Sequence, residues 1–275
     1  MQISPTTKFA LAAIAGIAIA VTFVSRPLTA PLPTTVQIAD MTWVEVQSAI
    51  ANGFTTVIVP SGGIEQNGPH MILSKHDYIV RHAAEGIAGE LGKTLVAPVI
   101  SYVPEGAYDP PTGHMRFPGT IGITEAAYAN LIEGIARSLK AGGFRTICFI
   151  ADHGGSQQPQ ADMIAKLNAE WSGKGIRLIH VDAYYADAPQ IEKLMQQGET
   201  RAAIGEHASI IDTSELMAIH PNGVDLSRLD GTRLSLQPTG IVGDPSRASA
   251  ARGKELLEIR IRAAVAQIRA QMATH

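Results

Sequence analysis

Four short apolar runs constrain the fold more than any other feature of this chain: Thr55 to Pro60, Thr94 to Val99, Arg145 to Ala151 and Ile176 to Val181. Each reads as a strand buried on both faces, and helix-patterned stretches lie between them. Thr42 to Ala51, Asp77 to Leu91, Thr124 to Ala141, Gln157 to Trp171 and Ser246 to about Met272 read as helices. Gly92 and Gly142-Gly143 supply stops. Strands alternating with helices imply an α/β fold with three layers, α/β/α, around a mainly parallel sheet. Apolar residues make up 45% of the chain, enough for a sizeable core, and no long linker or low-complexity run divides residues 41–275. One domain is expected there.

In such sheets ligands sit outside the carboxyl ends of the strands. The polar and Gly-rich segments fall at those ends. Ser61-Gly62-Gly63-Ile64-Glu65 follows the first run, with His70, His76 and Asp77 close behind. Asp152-His153-Gly154-Gly155 follows the third, and a further cluster runs from Gly205 through His207 and Asp212 to Ser214. Bland roles compete at each cluster: a polar loop with a helix N-cap at Asp77, turn hydrogen bonding at His153, and a cap at Asp212 for a helix starting near Thr213. Three His and carboxylate clusters on one sheet edge suit a hydrolytic metal site with N and O ligands. No Cys lies in any of them, which argues against a structural zinc site. No G-x-S-x-G elbow, P-loop or convincing dinucleotide fingerprint is present.

The first thirty residues differ from the rest. Lys8 precedes an apolar run from Phe9 to Val24, and Leu28-Thr29-Ala30 offers a small-residue cleavage site. Residues 1–30 therefore read as a signal peptide or an uncleaved N-terminal anchor, and 31–40 as a tether. Either form places the folded part outside the cytoplasm, in the periplasm. The single cysteine, Cys148, excludes an intramolecular disulfide and reads as a small buried hydrophobe. A net charge of −3 gives no electrostatic reason to expect nucleic acid.

Taken in order, these segments resemble the creatininase (creatinine amidohydrolase) family. The family's E-Q-H-G-P-H-L-P-L-G-T-D is similar to Glu65 through Asp77, and its F-P-G-T-I-S-L to Phe117-Pro118-Gly119-Thr120-Ile121-Gly122-Ile123. Its N-G-H-G-G-N resembles Ala151 to Ser156, and its H-A-G-E-x-E-T-S resembles His207 to Ser214. Its G-D-P-x-x-A-T resembles Gly243 to Ser249, with Gly253 beyond. The resemblance runs from Gly62 to about Leu257. It implies a metal site in which Glu65, His153 and Asp212 are ligands, Asp212 standing for a longer Glu. Asn67 stands where the family has a ligand His. His76 stands at the spacing of the family's bridging Asp, with Asp77 one residue later. His76 is the preferred ligand and Asp77 the alternative.

The resemblance implies Zn²⁺ or Mn²⁺, one or two ions per chain, and His207 beside the scissile bond. A bound ion lowers the pKa of its water from ~16 towards ~7 and polarises a carbonyl. His207 would protonate the leaving nitrogen or steady the oxyanion. His70 and His114 would either shape the pocket or serve as satisfied structural histidines. The reading is a hydrolase of a C–N bond in a small amide or lactam. Alternatives are a lactone or ester hydrolase with the same site, and a non-catalytic exported metal- or solute-binding protein. The resemblance also implies a homo-oligomer.

Overall fold

The computed structural model describes residues 34–229 and 236–273, together with Leu32. The expected leader falls outside the described residues. Four strands form one sheet among them: β1 (Thr56–Ser61), β2 (Thr94–Val96), β3 (Thr146–Ala151) and β4 (Arg177–His180). The order is β2-β1-β3-β4 and every pairing is parallel. The helices are α1 (Trp43–Ala51), α2 (Lys75–Leu91), α3 (Glu125–Ala141), α4 (Gly154–Glu170), α5 (Ala188–Gln196), α6 (Arg201–Ile204), α7 (Ile210–Ile219), α8 (Leu236–Thr239) and α9 (Ala250–Ala273).

Strand alternation sorts the core into two layers. Val57, Val59, Ile147, Phe149 and Leu178 face one side, where Tyr128 and Ile132 of α3 and Ile164 and Leu167 of α4 cover them. Ile58, Cys148, Ile150 and Ile179 face the other, under Val80 and Ala84 of α2 and Ile261, Val265 and Ile268 of α9. Each fully buried Ile, Leu or Val side chain contributes about 1.5–3 kcal/mol relative to exposure, which explains why the strands are apolar on both faces. Cys148 belongs to the second layer, and burial pushes its thiol up to about 12.

The expected helices and strands recur with shifted ends, each shift having a local cause. β2 stops at Val96 because Pro98 cannot donate to a ladder. α4 starts at Gly154 because His153 caps it, its Nδ1 accepting from Gly155 N–H at 3.1 Å. α9 starts at Ala250, after a 3₁₀ turn at Pro245–Arg247 on which the Asp244 carboxylate accepts from Ser246 N–H. Part of the stretch expected as a tether is seated on the domain: Gln37 pairs with Val96, and Ile38–Asp40 form a 3₁₀ turn. No described helix is long and apolar enough to cross a membrane.

The strand order places a topological switch point between β1 and β3, since the chain moves to opposite sides after each. Their last residues, Ser61 and Ala151, lie in register. The loops leaving them therefore start side by side, although ninety residues of sequence separate them. Gly62 opens the first loop. A Cβ there would meet the Asp77 Oδ1 at 2.0 Å, so only glycine allows the loop to lie against the start of α2.

Candidate metal centre

Glu65, carried on the loop after β1, is the hub. Its carboxylate is buried and surrounded by imidazoles. His76 Nε2 donates to its Oε1 at 2.7 Å, while Oε2 lies 3.1 Å from both His114 Nε2 and His153 Nε2. His153 Nε2 is also 3.0 Å from Glu105 Oε2. Ligand atoms of Glu65, Glu105, His114 and His153 all fall within 4.8 Å of one another.

Four separate segments supply this group. Glu65 and His153 leave the neighbouring ends of β1 and β3. Glu105 ends an irregular stretch that returns from β2, where Ile100 bridges Ser61. His114 lies on a 3₁₀ turn, Gly113–Arg116, and its N–H donates to the Glu105 carbonyl at 3.1 Å. Glu105 was not anticipated from the sequence. It sits in no recognisable motif, and Pro104 and Gly106 beside it read as ordinary loop residues.

These side chains fit a divalent ion. Two ligands ~2.1 Å from an ion, separated by 90–109°, stand roughly 3.0–3.4 Å apart, and the Glu65–His114, Glu65–His153 and Glu105–His153 pairs stand 3.0–3.1 Å apart. Glu65 Oε2 and both Glu105 oxygens are buried yet accept no well-formed hydrogen bond. Buried carboxylate oxygens left without donors are costly unless a cation satisfies them.

The proton affinities show the same demand for positive charge. Burial opposes ionisation of Glu65, but His76 and His153 outweigh it and hold the carboxyl well below its ordinary value. Burial pushes Glu105 up to about 7, helped by the charge of Glu65. Burial also works against a charged His153, but Glu105 and Glu65 prevail and raise it to about 10. His114 is lowered to about 4, chiefly by burial, and burial lowers His207 as well.

The other expected residues take different places. His76 has both nitrogens on carboxylates: Nε2 on Glu65, and Nδ1 on Asp152 Oδ2 at 2.7 Å. Asp152 is anchored in turn by the Tyr184 hydroxyl at 2.9 Å and by Arg260 of α9 at 2.6 Å. Despite burial, Arg260 and His76 hold the Asp152 carboxyl far below its usual value. His76 thus orients Glu65 from behind. Asp77 accepts from Gly63 N–H at 3.1 Å, which fastens the loop to α2 and keeps its carboxylate outside the cluster. Asp212 places Oδ1 on Lys75 Nζ at 3.1 Å and Oδ2 on Ala208 N–H at 2.7 Å. Asn67 donates its side-chain N–H to the carbonyls of Glu65, Ile72 and Leu73, so it braces its own loop. His70 is bonded to the Thr213 hydroxyl at 3.0 Å, away from the four-residue group.

His207 does reach the centre. It precedes Ala208, whose φ of 51° is a sparsely populated conformation for a non-glycine residue. The bridge between His207 and Val242 and the Ala208–Asp212 bond hold this turn in place. The ring sets Nε2 3.0 Å from the Gln66 carbonyl and Nδ1 3.7 Å from Glu65 Oε1. The Gln66 side-chain nitrogen lies 3.0 Å from both His207 Nε2 and His114 Nδ1, spanning the two rings. Glu65, Glu105, His114, His153 and His207 face a cavity of about 700 Å³, whose wall also includes Lys75, Tyr185, Glu206 and Asp212.

Comparison with known proteins agrees with the site. The creatininase family model, described as creatinine amidohydrolase, matches residues 39–268. The creatinine amidohydrolase of Pseudomonas putida is 26% identical over 219 residues, covering 78% of this chain and 84% of that protein. The mycofactocin precursor peptide peptidase of Mycolicibacterium smegmatis is 29% identical over 210 residues, covering 73% and 78%. Creatininases solved in a manganese form and in a Zn–Zn form each superpose with a TM-score of 0.71 at 23% identity, over 86% and 87% of this chain and 98% and 99% of theirs. With its family match spanning nearly the whole described domain, the chain belongs to the creatininase family of metal-dependent amidohydrolases.

Proposed function

We propose that this protein hydrolyses a C–N bond of an amide substrate with a divalent zinc or manganese ion held by Glu65, Glu105, His114 and His153. The observation that carries this reading is the convergence of those four side chains, with carboxylate oxygens buried and lacking donors, at the wall of an open cavity. A bound ion there supplies a water acidified towards neutral pH and a polarised substrate carbonyl.

The chain's own residues do the rest. His76 and Asp152 hold Glu65 at a fixed angle, the role that outer carboxylate–imidazole pairs play at metal sites. In the His207 tautomer that places the Nε2 proton on the Gln66 carbonyl, Nδ1 is left to take the proton of the attacking water and pass it to the leaving nitrogen. That transfer matters because an amide anion is a very poor leaving group. Burial, which lowers His207, keeps it neutral and able to accept that proton at neutral pH.

The creatinine and peptide activities of the relatives bracket the substrate class. Apart from histidine, Tyr185 is the aromatic residue in the cavity wall, and the cavity is large for a single small lactam. A linear amide or peptide end therefore suits it better than a flat five-membered ring. The test is direct. Protein purified from metal-replete cells is expected to carry zinc or manganese, to lose amide turnover in chelator and to regain it on readdition. Metal-free protein that hydrolyses amides equally well in chelator would refute the proposal.

A smaller effect is expected one layer out. His76→Asn should leave the four ligands in place but weaken ion affinity by roughly 10–100-fold, the usual loss when an orienting partner is removed. Asp77→Asn, which touches only the Gly63 amide, should leave ion affinity near that of the wild type. Competition against a metal-sensitive dye measures both. Equal affinities for His76→Asn and wild type would show that Glu65 needs no orienting partner.

A further inference from the structure

We propose that the Lys75 ammonium is a permanent cation of this centre, that Asp212 is its counter-ion, and that the centre accepts a single divalent ion. The proposal rests on the reading of the four-residue cluster as a metal site.

Lys75 is the first residue of α2, and its side chain is 1% exposed. Lysine is almost never buried to this degree unless paired, and a cation at a helix N-terminus opposes the helix dipole. Its placement therefore has to be offset locally. Nζ lies 3.1 Å from Asp212 Oδ1 and 3.8 Å from Glu65 Oε1, inside the cavity wall. Glu65 is thus shared: His114 and His153 flank one oxygen, while His76 and Lys75 flank the other.

The charge balance agrees. The carboxylates of Glu65, Glu105 and Asp212 face the centre, and Lys75 offsets one of them. Behind them, Asp152 and Glu215 are matched by Arg260, which pairs with both, and by the His76 ring, whose two nitrogens donate to Asp152 and Glu65. What remains is the charge that one divalent ion neutralises. A second ion would have to sit beside a fixed ammonium, with few groups free to hold it. Both Asp212 oxygens are engaged, and Asn67, whose Oδ1 is buried without a hydrogen-bond partner, does not line the cavity.

The experiment counts ions. Wild-type protein, titrated with excess Zn²⁺ or Mn²⁺ and freed of loose metal by gel filtration, is expected to retain one ion per chain by elemental analysis. Two retained ions would overturn the inference. No retained ion would overturn the underlying metal-site reading, so the two failures are distinguishable. Asp212→Asn should keep the single ion with affinity changed by no more than a few fold, and its loss would make Asp212 a ligand. Lys75→Met removes the charge at similar length, and the folded variant is expected to take up a second ion. A Lys75→Met protein with native circular dichroism that still holds one ion would overturn the role given to the lysine. If that variant does not fold, the wild-type count and Asp212→Asn decide.

Discussion

Glu65→Gln is expected to strip the protein of its ion and reduce amide hydrolysis to the background of the metal-free protein. Four imidazoles and one ammonium lie within 4 Å of this carboxylate. Removing one partner of a buried ionic group costs about 3–5 kcal/mol, or roughly a hundredfold to several-thousandfold in a binding constant. The substitution is isosteric, so the loss reflects charge and donor chemistry rather than a cavity. It should also be visible without metal. The Glu65 carboxyl is held well below its ordinary value, so its stabilising contribution is present at neutral pH and is lost as pH falls through that lowered value. Metal-free Glu65→Gln should therefore melt lower than metal-free wild type at neutral pH, and the gap should narrow in acid. Elemental analysis and melting curves at two pH values check both parts. Full metal content in the variant would remove Glu65 from the centre.

Two of the residues legible in the sequence owe their position to a strand. Glu65 and His153 each leave the end of an apolar run, and parallel pairing of β1 with β3 is enough to bring the two loops together. His207 was legible through its motif, because the turn around Ala208 joins it to Asp212 within five residues. Glu105 was not legible. It reaches the centre through an irregular stretch whose course depends on Ile100 bridging Ser61, a contact with no periodic signature. Lys75 is not legible in the sequence for a related reason. A lysine at the start of a helix ordinarily points to solvent, and its burial arises only where α2 meets the first turn of α7, which carries Asp212. His76 shows the limit from the other side. Sequence spacing located it at the centre, but whether an imidazole binds an ion or steadies a carboxylate depends on what lies beyond its second nitrogen. Asp152 lies there, held by Tyr184 and Arg260 from a helix more than a hundred residues further on.

His207→Ala should separate holding the ion from moving protons. No ligand atom of the four-residue cluster belongs to His207, so metal content should stay at the wild-type level. The fold should hold too. The His207 backbone pairs with Val242, and its ring meets Gln66, Glu65, His114 and the cavity, so truncation opens space already continuous with solvent. Amide turnover, however, should fall by roughly a hundredfold to ten-thousandfold, the usual range for a positioned acid–base group. An activated ester should lose much less, because its leaving oxygen departs without a proton. The ratio of amide to ester loss is therefore the informative quantity, and it does not depend on how much active protein is present. A merely structural histidine would depress both substrates equally. A ligand would carry the metal away with it. Retained metal, an unchanged melting temperature and a selective loss on amides would assign His207 the proton that the leaving nitrogen needs.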